Sequence, residues 1–383
     1  MKKTLALFTA ILLLAMPMMA FAGEALIDVR IAIHGNVGGA PLAGVAVEQG
    51  FFAAEGINPI ITIVESGPSE MAAMRADNRT LDCGYIGAGV AWNAMDPSGN
   101  QLKFIFLDNL SNSEGMVARK GTFEDTNGNN FYDYDELYAG LKGKTVYIDT
   151  ATTPGGWFKD LLKKIHTELA LEPAAQLWIH SETADYVKDY EAPNSDDEFK
   201  IEVIQLANEN LPAAMSTSDA SRVDIAVGYA PVPGIITANN SDMEFIAATD
   251  THLSDAYFPS TWVASQKWID ENPEAVQKVI NALVQALNFR SDPANEGACL
   301  AAGELLAQKP AGSFDAAAAV WPDAEEYMTQ WFATEDGQGY EYMRVLYNAK
   351  KGGVPEGTQA KALEDCMDFS FVLNTLDKWV FVD

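Results

Sequence analysis

Three short runs place chemistry at the ends of strand-like segments. In the first, the apolar run Val29 to Ile33 ends at His34-Gly35-Asn36, and Gly38-Gly39-Ala40-Pro41 opens a helix. In the second, Ile60 to Val64 meets Glu65-Ser66-Gly67-Pro68, with proline at the start of the next helix. In the third, Leu81 to Ile86 runs into Gly87 and Gly89. Each junction aims free backbone N–H groups and the positive end of a helix dipole at the carboxyl edge of the strands, a setting for a small anionic ligand. His34 adds a side chain that donates one hydrogen bond when neutral and carries charge when protonated, or that is simply satisfied by nearby backbone. Hydroxyls of Ser66, Thr150, Thr152 and Thr153 lie beside helix starts, where they serve equally as N-caps. Tyr85, Trp157, Tyr229 and Trp262 fall near such junctions; any one is more often core, but at least two are expected to wall the ligand.

The elements that would carry these residues repeat along the chain. KTVYIDTATTPGGWFKDLLKKI is again strand, small polar loop and helix, and RVDIAVGYAPVPGIITAN echoes TLDCGYIGAGVAWNAM, with Asp224 standing where Asp82 stood. Two similar α/β lobes follow, presenting strand ends to a shared cleft that shuts by hinge motion. Asp82 and Asp224 are expected to tie loop backbone within their lobes. Other chemistries lack their residues. A dinucleotide fingerprint would need glycine where Trp92 stands, a phosphate-binding loop around Gly143-Lys144-Thr145 would need glycine at Tyr138, and no HExxH, GxSxG or CxxC occurs.

The order Ala46, Gly50-Phe51-Phe52, Gly56, Ser66-Gly67 and Asp82-Cys83-Gly84, continued by LKGKTVYIDT, VDIAVGYAPVP and the run from Tyr257 to Leu287, resembles periplasmic solute-binding proteins of ABC importers of the taurine, aliphatic-sulfonate and nitrate type. Asn78-Arg79-Thr80 departs from that pattern, which usually has a glycine shortly before the aspartate. The resemblance implies an α/β, two-lobed periplasmic binding protein-like fold (type II) with a hinge and C-terminal helices packed on the first lobe. Lobe 1 is expected at 24–119 and 248–383, and lobe 2 at 120–247. It further implies a non-enzymatic monomer that captures a sulfonate, taurine, nitrate or carboxylate and delivers it to a permease in the inner membrane. The expected ligand-binding residues are His34, Gly35, Asn36, Gly38, Ser66, Gly67, Tyr85, Gly87, Thr152, Thr153, Trp157, Tyr229 and Trp262. Two alternatives stay open: an enzyme on the same fold, like relatives that make a thiamine pyrimidine precursor, and a periplasmic sensor.

Composition is consistent with export. Lys2-Lys3, the apolar stretch Leu5 to Ala20 and Ala20-Phe21-Ala22 read as a signal peptide over 1–22, so the mature chain is expected in the periplasm. Its removal takes the formal charge from −29 to −31, which argues against nucleic acid or anionic membrane as partner. Salt screens such surface charge beyond about 10 Å at 0.1 M, so an anionic ligand in a closed cleft is still admissible. Of three cysteines, Cys83 reads as a buried thiol, while Cys299 and Cys366 fall in the helical tail, where a bridge is one outcome.

Residues 125–136, DTNGNNFYDYDE, have the oxygen spacing of an EF-hand loop: Asp125, Asn127, Asn129, the carbonyl of Phe131, Asp133 and Glu136, with Asn130 in place of the usual glycine. A structural calcium ion, stiffening entry into the second lobe, is the expectation. Beyond it, Asn272-Pro273-Glu274 caps a helix whose apolar stripe includes Val276, Val279, Ile280, Leu283, Val284 and Leu287. Further helices are expected near 297–308, 313–334, 338–349 and 358–376. His166 and His252 read as surface residues.

Overall fold

The computed structural model describes residues 25–64, 67–76, 78–95, 102–171, 178–181, 200–216, 223–254, 258–328 and 366–380. The signal peptide expected at 1–22, Ser66 and the helix expected at 338–349 lie outside them. The first sheet runs β12-β4-β11-β3-β1-β2, from β1 Ile27–His34, β2 Ile57–Val64, β3 Cys83–Gly87, β4 Leu102–Ser111, β11 Pro259–Ser265 and β12 Ala319–Val320. The second runs β10-β5-β9-β6-β8-β7, from β5 Glu114–Arg119, β6 Thr145–Ile148, β7 Trp178–Ser181, β8 Lys200–Gln205, β9 Ile225–Tyr229 and β10 Met243–Ala248. In each, three or four strands pair in parallel and one antiparallel strand, β11 or β5, closes on them. The echo between residues 80–95 and 222–239 is thus structural: β3 and β9 hold the same place.

Sequence explains most of this layout. β1 is mostly apolar from Val29 to Ile33, Arg30 apart, because parallel neighbours and helices cover both faces; Val29, Ile31, Ala32 and Ile33 are fully buried. Pro59, which has no N–H to give, stands in β2, whose outer side has no strand partner. Helix α1, Pro41–Glu48, starts on proline and packs on the helix Glu296–Leu306. A Cβ at Gly44 would lie 2.6 Å from Ala302 backbone, so the two axes approach closely only because that residue is glycine. The stripe of the helix Pro273–Ser291 is core, and it lies against α1. The C-terminal helices therefore pack on lobe 1. Region 313–328 departs from expectation, holding a single turn at Ala316–Ala318, the bridge strand β12 and a short helix Ala324–Glu326 instead of one long helix.

The crossing between lobes comes earlier than expected. β5 belongs to the second sheet, paired with both β9 and β10, so the chain leaves lobe 1 at Asn112-Ser113 and not at 119–120. Two strands separated only by Asn112-Ser113 read as one continuous lobe in sequence. After β10, Thr249 and His252 still bond lobe 2, through the Glu114 and Tyr132 carbonyls, before the chain returns to β11. His252 is buried and stacks on Phe131, correcting its assignment to the surface. Cys83, Cys299 and Cys366 are all buried and none is in a disulfide, so the tail carries no bridge between the last two. Among the described residues no helix is long and apolar enough to cross a membrane.

One charged pair lies in the dry core of lobe 1. Asp108 on β4 and Arg290 on the helix Pro273–Ser291 meet at 2.7 Å with both side chains fully buried. The Trp262 indole N–H, 2.9 Å away, and the Asn109 amide also donate to Asp108, and Arg290 donates to its carbonyl. Removing one partner strands the other charge, so Asp108→Ala is expected to lower unfolding free energy by about 3–5 kcal/mol in urea titrations. The paired change Asp108→Leu with Arg290→Met should recover much of that loss. A double variant as unstable as the single one would contradict the assignment.

Candidate functional site

The ends of β1 and β3 and the loop after β1 meet the ends of β6 and β9 across the crossing. His34, Asn36, Gly38, Gly67, Tyr85 and Gly87 from lobe 1 line one cleft with Thr152, Thr153 and Tyr229 from lobe 2. Three helices open on it. Helix α3, Gly67–Arg75, begins at the lining residue Gly67; α4, Ala88–Ala94, follows Gly87; and α6, Thr153–Glu168, is preceded by Thr152 in extended backbone. A Cβ on Gly38 would stand 2.4 Å from the Tyr85 hydroxyl, and one on Gly87 would stand 2.9 Å from the Thr153 methyl. The first glycine makes room for a phenol, and the second lets the lobes touch.

Three expected site residues lie elsewhere. The Gly35 α-carbon faces Ile63, Ala307 and Lys309, away from the cleft. Trp157, one turn into α6, is fully buried in the lobe 2 core, and Trp262 is fully buried with its N–H on Asp108. For both tryptophans burial of a large apolar ring outweighs any use at a cleft wall. Tyr85 and Tyr229 are the two aromatic residues that do reach it. Burial pushes the Tyr85 phenol well up, helped by the Asp108 charge, and burial pushes Tyr229 up to about 12. Both remain protonated hydrogen-bond donors.

Residues that sequence reasoning passed over organise the site. His34 Nε2 lies 2.9 Å from Glu70 Oε2, and Glu70 sits in α3 with its side chain fully buried. Its other oxygen has no hydrogen-bond partner and lies over Gly84, where any Cβ would collide with it. Burial drives the Glu70 carboxyl above its ordinary range, opposed in part by His34. Asn109 on β4 donates to the Gly38 carbonyl at 2.9 Å and so fixes the loop after β1. At the crossing, Ser111 on β4 donates to both oxygens of Glu114, at 3.0 and 2.9 Å, and meets Ser113 at 2.8 Å. Glu114 is raised by burial, while hydrogen bonds from Ser111 and Thr153 favour its ionised form. Ser111 ends a strand of lobe 1 and Thr153 begins a helix of lobe 2, so this carboxyl joins the two. The signals were there: Glu70 lies three residues after Gly67, and Glu114 is the lone acid in SNSEG.

Among the described residues that line the cleft there is no lysine or arginine. An anion there would be held by N–H groups, hydroxyls and His34. Asp82 is not part of it; its carboxylate takes Arg30 and Arg79, which holds it below the usual carboxylate range despite burial and accounts for Arg79 in the departure from the family pattern. Asp224 pairs likewise with Arg119.

Sequence and fold comparisons agree on relationship. The NMT1-like family profile matches residues 23–302. The chain belongs to the NMT1-like family. A Brucella abortus relative bearing the provisional name of a binding protein is 24% identical over 76% of this chain and 75% of its own. Among solved structures, the NMT1-like chain is similar to the periplasmic nitrate-binding protein NrtA of Synechocystis, with TM-score 0.63, 12% identity, and 92% and 90% of the two chains covered. The alkanesulfonate-binding protein SsuA of Xanthomonas axonopodis, bound to MOPS, gives 0.57, 12%, 90% and 99%. The desulfurization enzyme DszB gives 0.55, 13%, 92% and 99%. The NMT1-like protein thus has the two-lobed fold of periplasmic binding proteins.

The 125–136 loop stands apart from the cleft. Asp125 oxygens accept from the N–H groups of Gly128, Asn129 and Asn130, Asn127 and Asn129 donate to Asp133, and Asn129 Oδ1 accepts from Phe131 N–H. Glu136 is held by Thr126 and by the Asp133 N–H, in a capping box that starts the helix Tyr134–Leu141. Gly128 and Asn130 have φ of 74° and 61°. Among the described residues no three His, Cys, Asp or Glu side chains are grouped to hold a metal ion.

The buried Glu70 makes stability depend on pH. A carboxyl whose folded pKa is raised binds its proton more tightly when folded, so its contribution is full below about 4.5 and is lost as pH rises through the folded value. Glu70→Gln cannot ionise. Its melting temperature relative to the parent protein is therefore expected to climb from about pH 4.5 towards neutrality, and a difference constant with pH would refute the burial argument.

Proposed function

We propose that this NMT1-like protein is the solute-binding component of an ABC importer, exported to the periplasm after loss of residues 1–22 and acting as a monomer. It captures a small anionic or zwitterionic solute, such as a sulfonate, taurine, nitrate or carboxylate, and presents it unchanged to an inner-membrane permease. The observation that carries this reading is a cleft lined from both lobes, with Gly38, Gly67 and Gly87 facing Thr152, Thr153 and Tyr229 across two chain crossings. A ligand that contacts both sides favours closure by the difference in its contacts between open and closed forms. Support for binding without reaction comes from the thiols: all three are buried, Cys83 with its pKa driven well up by burial, and none lines the cleft. A sensor docking on a receptor would use the same cleft.

The test is a thermal-shift screen of the purified protein against sulfonates, amino-sulfonates, nitrate and carboxylates, since ligand at a hundredfold its Kd adds about 2.7 kcal/mol. Glu114 sets the expected pH dependence. While protonated it donates to an anion, and once ionised it repels one, so affinity for a sulfonate should fall as pH rises through its elevated pKa. Glu114→Gln should flatten that slope; an unchanged slope would remove Glu114 from the site.

The 125–136 loop is proposed as a structural calcium loop, supported by its oxygen spacing and by the left-handed backbone of Asn130 at the sixth position. Binding requires Asp133 and Glu136 to exchange their present hydrogen bonds for the ion. Calcium should raise the melting temperature and chelator should reverse it, and melts indifferent to both would discard the metal.

A further inference from the structure

Helix α3 packs on α4, β3 and β11 and buries Gly67, Glu70, Met71 and Met74, the spacing of a core stripe. A carboxylic acid in such a stripe is costly unless the fold supplies its hydrogen bond. Two other elements are shaped to admit it. β1 ends on His34, whose Nε2 reaches Glu70 Oε2 at 2.9 Å, and β3 has glycine at Gly84, where any Cβ would collide with Glu70 Oε1. Oε1 has no hydrogen-bond partner among the described residues, so His34 is where this acid is held. His34 lines the cleft while its Nε2 is committed to the interior, which leaves Nδ1 as the ring nitrogen for a solute. Other titratable groups near the pair are Cys83 and Tyr85 of β3, both kept protonated by burial, and beyond them Asp82, tied to Arg30 and Arg79. From lobe 2, Glu114 and Tyr229 line the same cleft as the ring.

We infer that Glu70 is a positioning residue of the solute site: it shares one proton with His34 through Nε2, and so keeps Nδ1 as an N–H donor toward the cleft. The inference rests on the solute-binding reading above and gives a role to a side chain that is fully buried and never meets the solute. The shared proton has two arrangements, a neutral acid donating to a neutral ring and a carboxylate accepting from an imidazolium, and each leaves Nδ1 protonated. A dry interior favours the first, since it separates no charge. Once the proton is lost, the carboxylate takes the Nε2 N–H and Nδ1 becomes a bare acceptor, which turns an anionic oxygen away.

NMR of the histidine ring nitrogens in the isotope-labelled protein reads the tautomer directly, with His34 identified by its loss in His34→Gln. At about pH 6, before any solute is added, Nδ1 of His34 should carry a proton. A bare Nδ1 beside a protonated Nε2 overturns the inference. That reading is made on the parent protein and does not depend on how a Glu70 variant folds. Glu70→Met places an apolar side chain in an apolar stripe, so it should melt no lower than the parent at neutral pH and yet bind methanesulfonate and nitrate roughly tenfold more weakly in calorimetric titration. Glu70→Gln, whose amide still donates to Nε2, should stay within about threefold of the parent. A Met variant that binds both anions like the parent overturns the inference, as does a Gln variant no better than Met, and either result leaves solute binding intact. A parent protein that takes up neither methanesulfonate, nitrate nor acetate overturns the solute-binding reading and the role of Glu70 with it.

Discussion

The buried pair of Asp108 and Arg290 is the constraint on which the first lobe, and through it the cleft, depends. Two full charges in a protein interior cost several kcal/mol each to desolvate, a cost offset by close pairing and by hydrogen bonds from neighbouring groups, although Arg290 Nε is left without a partner. Here those groups are drawn from distant elements: Trp262 from β11, Asn109 from β4 itself, and the long C-terminal helix that carries Arg290. The pair therefore holds β4, β11 and the helix in one arrangement. Asn109 also donates to the Gly38 carbonyl, so the loop that lines the cleft is positioned by the same node.

The second lobe has no counterpart to this node among its described residues and relies on apolar packing around Trp157, Phe158, Leu161, Leu162, Ile201 and Val203, all fully buried or nearly so. That difference explains why Trp157 and Trp262 look alike in sequence and serve different ends. Both sit near a strand-to-helix junction, but one ring fills a core with nothing else to fill it, and the other supplies an N–H to a buried carboxylate. Neither reaches the ligand.

Strand ends, glycine turns and helix starts were legible in the sequence because they follow from short-range rules: proline at a helix start, glycine where backbone must approach a side chain, and an apolar run for a strand covered on both faces. His34, Gly38, Gly67, Gly87, Thr152, Thr153, Tyr85 and Tyr229 were identified on that basis and all line the cleft. What local pattern could not supply was long-range pairing. β5 looks like an extension of β4 until its partners β9 and β10 are known, and Ala318 enters the cleft only because the loop around it bonds Asn112 at the crossing, through Ala318 and Ala317 carbonyls. Glu70 and Glu114 escaped notice for a related reason. A carboxylate matters here because it is buried, and burial is a property of the assembled fold.

Charge gives the cleft its character. The chain carries a large excess of acid, and the described residues of the cleft include a buried carboxyl at Glu114, a histidine backed by Glu70, and no lysine or arginine. A lysine ammonium would hold any small anion with little regard for its shape, since a point charge acts at a distance. Hydroxyls and helix-start N–H groups act only at contact and only along their own directions. A cleft built from the latter discriminates by geometry, and it releases its ligand readily when the lobes part, because each bond breaks as soon as its partner moves by an ångström or two. Glu114, which takes hydrogen bonds from Ser111 of lobe 1 and Thr153 of lobe 2, thus ties the one carboxyl lining the cleft to the contact between the lobes.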